Sequence, residues 1–107
     1  MAVIHVNEDQ FRELIRKEKP VLADFWAPWC SYCRRIGPAC DAIAQKFEGQ
    51  LEVVKVNIDE APALAQQYKI EVIPTLVFIK KGHPADLIVA PDSQAAIAQF
   101  IQKNLEK

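Results

Sequence analysis

Two hydrophobic periods alternate along the chain. Val21-Leu22-Ala23-Asp24-Phe25-Trp26-Ala27 is an almost unbroken apolar run of strand length, the pattern of a sheet strand covered on both faces. Beyond it Cys33, Ile36, Cys40, Ile43, Ala44 and Phe47 recur at helical spacing, which predicts a helix with one buried stripe. A strand at Ala2–Val6 is expected ahead of these, then a helix opened by Asn7-Glu8-Asp9-Gln10, whose first and last residues suit a capping box. Val6 and Phe11 would form its staple, Phe11, Leu14 and Ile15 its buried stripe, and it ends before Pro20. A strand at Leu51–Ile58 completes a βαβαβ half. A short helix Ala63–Tyr68 follows Pro62, then strand Thr75–Lys80, a turn at Lys81-Gly82-His83-Pro84 and a weaker strand Ala85–Val89. The last helix turns Ile97, Phe100, Ile101 and Leu105 inward, so the second half reads ββα.

Composition narrows this to one domain spanning residues 1–107, because half of the 107 residues are hydrophobic, enough for one modest core. No linker, repeat or low-complexity segment divides the chain. The formal net charge is −1 with the signs interspersed, which gives no electrostatic case for nucleic acid. The first eight residues lack a basic start followed by an apolar core, and no apolar run approaches membrane-spanning length. A soluble cytoplasmic protein with no membrane partner is expected.

The chemistry concentrates in Trp29-Cys30-Ser31-Tyr32-Cys33, at the junction of the apolar strand and the cysteine-bearing helix. Two cysteines separated by two residues form a reversible disulfide, and in a reducing compartment such a pair is more often catalytic than structural. Cys33 lies on the buried stripe, whereas Cys30 precedes the first turn, where side chains reach solvent and the unsatisfied N–H groups of a helix start favour a thiolate. Cys30 is therefore the candidate nucleophile and Cys33 the candidate resolving thiol. A zinc site needs about four ligands; His5 in a strand, His83 in a turn and Cys40 two helical turns away do not supply them, so no metal is expected. Cys40 replaces an apolar residue on the core stripe and reads as a small buried hydrophobe; a regulatory third thiol is the other reading.

Asp24 within Val21–Ala27 and Lys55 within Leu51–Ile58 place charges in strands whose faces are covered, where each is costly unless compensated by the other. Asp24 shares a face with Leu22 and Trp26, and its strand ends just before the cysteines. A buried carboxylate with a raised pKa would take the proton from Cys33 as it attacks, with Lys55 tuning it. The competing reading is a structural ion pair.

Asp24-Phe25-Trp26-Ala27-Pro28-Trp29-Cys30, Cys33, Pro38, Lys55-Val56-Asn57-Ile58-Asp59 and Ile73-Pro74-Thr75, in this order and at these spacings, resemble the thioredoxin family over essentially the whole chain. The resemblance implies an α/β fold, a central mixed β-sheet of about five strands flanked by four helices, and a cis peptide bond at Ile73–Pro74 facing the disulfide. It implies reduction of protein disulfides without a bound cofactor, with electrons from a flavin-containing thioredoxin reductase that uses NADPH; a monomer is expected. Ile73 is carried over as the residue offering backbone hydrogen bonds to an extended substrate segment. Trp29 would be an apolar wall, and Trp29, Ile73 and Pro74 a small exposed patch; ordinary packing is the plain alternative for Trp29. Pro38 would kink its helix.

Two places depart from the family pattern. Ser31-Tyr32 stands where thioredoxin has Gly-Pro, and the N–H of Tyr32 and the hydroxyl of Ser31 are expected to donate toward the Cys30 thiolate, making the disulfide more oxidising. Ala90 stands where glycine is usual, its methyl narrowing the groove, and the adjacent Pro91 lacks an N–H; harmless loop variation and altered partner choice both fit. Three functions therefore compete: a reductase, a more oxidising oxidase or isomerase, and a binding module that keeps the fold without turnover.

Overall fold

The computed structural model describes residues 3–107, so Ala2 of the expected first strand lies outside the described residues. The elements run β1 (Ile4–His5), α1 (Glu8–Leu14), β2 (Val21–Trp26), α2 (Ser31–Arg35), α3 (Gly37–Lys46), β3 (Glu52–Asn57), α4 (Pro62–Gln67), β4 (Thr75–Lys80), β5 (His83–Val89) and α5 (Gln94–Leu105). They build one mixed five-stranded sheet in the order β1-β3-β2-β4-β5. β3 runs parallel to both β1 and β2, while β4 is antiparallel to β2 and β5.

Strand β2 lies at the centre and is fully buried up to Phe25. Its period of two divides the core. Val21, Ala23 and Phe25 pack on one face with Phe11, Leu64 and Val77, whereas Leu22 packs on the other with Ile36, Cys40, Ile43, Phe78, Ile97 and Ile101. The same alternation sends Asp24 to the second face, toward α3.

Local chemistry starts the helices where the sequence indicates. Asn7 caps α1 by accepting the Gln10 N–H, and the Gln10 side chain accepts the Asn7 N–H in return, completing the capping box. Phe11 is fully buried, with Leu14, Ile15 and Val6 packed partly exposed around its cluster. The cysteine-bearing helix is interrupted rather than bent: α2 ends at Arg35, Ile36 sits at φ −87°, ψ 0°, and α3 restarts with Pro38 in its first turn. Proline has no N–H to continue the ladder and is tolerated only in a first turn. The four flanking helices expected thus appear as five segments, because the cysteine-bearing one is broken into α2 and α3.

The β4–β5 turn is shorter than expected. Lys81 (φ 55°) and Gly82 (φ 82°) both adopt the left-handed region, the backbone of a two-residue hairpin. His83 and Pro84 belong to β5, paired with Lys80 and Ile79 beside a register irregularity. Pro84 is accommodated because β5 is an edge strand with no neighbour awaiting its N–H.

The Phe11 ring meets Phe25 at 6.3 Å and Tyr68 at 5.7 Å between centroids, both edge-to-face, so one side chain joins α1, the central strand and the end of α4. Phe11→Ala should lower unfolding free energy by about 3–5 kcal/mol with an unchanged urea m-value. A loss below about 1 kcal/mol, the scale of an ordinary substitution, would show that α1 is not anchored through this ring.

Candidate active site

Cys30 is the N-cap of α2, with extended backbone at φ −91°, ψ 105°. Its N–H donates to the Ala27 carbonyl at 3.1 Å, which closes the turn out of β2. Cys30 and Cys33 form a disulfide with Cα atoms 5.3 Å apart, within the usual range for the bond. Cys33 is fully buried, while Cys30 is partly exposed, the asymmetry that the helical stripe predicts.

The donor to Cys30 Sγ is the Cys33 N–H, at 3.2 Å. In the disulfide, neither Ser31 nor Tyr32 donates to this sulfur among the described residues. A side chain at an N-cap accepts from the N–H two or three residues into the helix, which here is Cys33. The Tyr32 hydroxyl points elsewhere and donates to the Pro91 carbonyl at 2.8 Å. Ser31 is exposed at the first helical position.

The Ile73–Thr75 segment reaches the sulfur, and the loop at Ala90 is tied to that segment. The Ile73–Pro74 peptide bond is cis, and the Ile73 carbonyl oxygen lies 3.9 Å from Cys30 Sγ; with no hydrogen on the sulfur of a disulfide this is an approach, and in the dithiol an S–H donor contact. Thr75 Oγ1 donates to the Val72 carbonyl across the cis bond, and the Pro74 carbonyl accepts the Ala90 N–H at 2.8 Å. Ala90 itself has φ 45°, a left-handed backbone in which glycine is unstrained and alanine is not. Trp29 is 66% exposed. Its Nε1 donates to Asp59 Oδ2 at 2.9 Å, which tethers the exposed ring to the loop after β3. Asp59 escaped sequence reasoning as a site residue, because nothing in the pattern pairs an acid after β3 with an indole on another loop.

Asp24 is fully buried on β2, the strand that leads into the cysteine turn. One carboxylate oxygen, Oδ2, accepts the Cys40 thiol at 3.7 Å; the other, Oδ1, has no partner among the described residues, and neither has the buried Nε1 of Trp26. Lys55 is the register partner of Asp24 on β3, but it is only partly buried, with Nζ 4.6 Å over the Trp26 ring. The expected mutual compensation of two buried charges is therefore partial: Lys55 is not fully buried, and its ammonium rests on an aromatic face while still opposing the rise of the Asp24 carboxyl. Burial pushes the Asp24 carboxyl up to about 6, against the opposing pull of Lys55 and the Cys40 hydrogen bond. Burial, then the neighbouring Asp24 charge, pushes the Cys40 thiol up to about 12. Cys40 is thus more than a small hydrophobe: it is a thiol donor to Asp24, and the same burial and carboxylate favour its protonated form.

Residues 2–103 match the family model described as Thioredoxin. Thioredoxin 1 of Nostoc sp. is 44% identical over 105 residues, covering 97% of this chain and 98% of that protein. The Thioredoxin of Synechocystis sp. is 43% identical over 105 residues, again 97% of this chain and 98% of its own. The chloroplastic Thioredoxin M-type of Spinacia oleracea is 40% identical over 101 residues, 94% of this chain and 56% of that longer one. With near-complete coverage of relatives of this name and a reactive pair held as the fold requires, the chain belongs to the thioredoxin family and is an oxidoreductase that reduces protein disulfides through the reversible Cys30–Cys33 bond.

Proposed function

We propose that Cys30 is the attacking sulfur, Cys33 the resolving one, Asp24 the proton acceptor and Lys55 the charge that tunes it. The observation that carries this is the contrast between a partly exposed Cys30 receiving an N–H donor and a fully buried Cys33. In the dithiol, the Cys30 thiolate attacks a substrate disulfide; one S–S bond breaks as a mixed disulfide forms, and the first substrate sulfur leaves as a thiolate. Cys33 then gives its proton to Asp24, directly or through a water, and its thiolate attacks Cys30 Sγ. The second substrate thiolate departs, the Cys30–Cys33 bond remains, and two electrons have passed to the substrate. Asp24 Oδ1 suits the acceptor role because Cys40 occupies only Oδ2, and a pKa of about 6 leaves the carboxylate ionised yet basic near neutral pH.

Trp29, Ser31, Tyr32, Ile73, Pro74 and Ala90 form the proposed substrate surface. The backbone of Ile73 sits beside the reactive sulfur, where an extended segment would pair with it. Family membership places disulfide-bearing proteins as substrates and a reductase as the electron donor. We extend this to a flavin-containing, NADPH-dependent thioredoxin reductase, to a monomer acting as one domain, and to a reducing cytoplasm as its compartment.

Cys30→Ser should abolish reduction of a protein disulfide such as insulin, while Cys33→Ser should accumulate a mixed disulfide at Cys30, seen by mass spectrometry after acid quench. A mixed disulfide at Cys33 in Cys30→Ser of comparable yield would reverse the roles. The wild-type resolving step should slow as pH falls through about 6, where Asp24 takes up its proton. Asp24→Asn should slow it about 10²-fold at neutral pH and remove that inflection. Cys40→Ala, which deletes a donor to the carboxylate, should move the inflection upward; an inflection unmoved in all variants would exclude Asp24. Stability follows from the same shift. Because the folded-state pKa is raised from 3.8 to about 6, the contribution from protonated Asp24 is full below pH 3.8 and lost as pH rises through about 6, a loss of about 3 kcal/mol. Asp24→Asn should flatten this loss and leave the fold more stable than wild type at neutral pH.

A further inference from the structure

The two departures from the family pattern, Ser31-Tyr32 and Ala90-Pro91, are a single physical unit. Tyr32 and Pro91 are 59 residues apart in the chain and joined by the 2.8 Å hydrogen bond from the phenol to the carbonyl. The phenol is held at its base too, since the Tyr32 ring packs against the core cluster of α3 and α5 and the Arg35 guanidinium lies 5.9 Å from its centroid. A side chain fixed at both ends is a strap between the redox helix and the 90–91 loop.

The strap changes what the groove beside Cys30 offers. On the 90–91 wall the Ala90 N–H is consumed by the Pro74 carbonyl at 2.8 Å, Pro91 has no N–H, and the Pro91 carbonyl is taken by Tyr32. The backbone of Ile73 lies beside the sulfur, next to the Pro74 carbonyl to which the loop is tied. Ala90 keeps its methyl in a left-handed backbone at φ 45°, a conformation that costs about 1 kcal/mol or more and persists only when surroundings enforce it. The Pro74 and Tyr32 hydrogen bonds on either side of it are that enforcement. The residues flanking these segments in the chain are exposed and apolar, with Trp29 66%, Val72 54% and Val89 46% exposed.

We propose that Tyr32 is a specificity-determining residue, its phenol strapping the 90–91 loop to the redox helix so that the groove admits extended, apolar-flanked segments with a small side chain facing Ala90 and disfavours bulky ones. This rests on the substrate surface proposed above.

The test uses Tyr32→Phe, which keeps the ring and its packing and deletes the hydroxyl. Steady-state kinetics would compare two synthetic disulfide peptides differing only in Ala or Trp beside the attacked cysteine, with the protein recycled by dithiothreitol. Wild type should favour the Ala peptide in kcat/KM. Tyr32→Phe should shrink that preference about 5-fold, as expected for one hydrogen bond, and the change should appear in KM. A preference unchanged in Tyr32→Phe, or an altered potential with the preference intact, would overturn the strap; the second result would show that the phenol acts on the sulfur. Hydrogen exchange on the mixed disulfide of Cys33→Ser with the Ala peptide separates the two levels. Unchanged protection at Ile73 would remove the substrate surface and the strap with it, whereas new protection there beside an unchanged preference would remove the strap alone.

Discussion

A cysteine at the N-cap of a helix stands in extended backbone outside the helical ladder, while the cysteine three residues on is already inside it. In this chain that offset is only as useful as the break behind it: α2 is a five-residue helix ending at Arg35, and Pro38 lies in the first turn of α3, where the chain restarts. The first piece is therefore short enough to hold Cys30 at the surface by its turn from Ala27, and the second is long enough to bury Cys40, Ile43 and Ala44 against the sheet. Remove the cap geometry and the two sulfurs lose the difference in access from which their order of reaction follows. The donor to Cys30 also comes from this geometry, because an N-cap side chain meets the N–H of Cys33 whatever residues lie between.

The Asp24 carboxylate obeys a different constraint. β2 is the central strand, and its alternation must turn every second residue into the α3 side of the core, so the residue between Ala23 and Phe25 has no route to solvent. Placing an acid there opposes stability, and the compensation is partial: one thiol hydrogen bond and the field of a lysine whose ammonium rests on Trp26. A site optimised for stability alone would pair or replace that carboxyl. Burial, offset only in part, is what pushes its pKa up to about 6, and one oxygen has no partner among the described residues.

Most of this was legible in the residues. The apolar run with a single acid, the helical stripe containing Cys33 and Cys40, and the Asn7–Gln10 box each translate a period or a spacing into geometry. The family resemblance added the cis bond at Ile73–Pro74, which composition and periodicity do not encode. The misses share a cause, since they are contacts between residues remote in sequence: the Trp29–Asp59 anchor, the Tyr32–Pro91 bond, the Cys40–Asp24 bond and the path of the Lys55 stem. Periodicity assigns a residue to a face but not to a partner across it. The shortened hairpin is a local miss, where Pro84 reads as a strand breaker until β5 is known to be an edge.

Direction of electron flow is the central claim, and the reduction potential of the Cys30–Cys33 bond tests it most directly. Equilibration with glutathione buffers, read by thiol quantification, should give a value near the roughly −270 mV of thioredoxin, because the Cys33 N–H that supports the Cys30 thiolate does not depend on the intervening Ser31-Tyr32. A value near roughly −180 mV or higher, the range of isomerases and oxidants, would contradict a reductase and show that the dipeptide has reset the chemistry of the site.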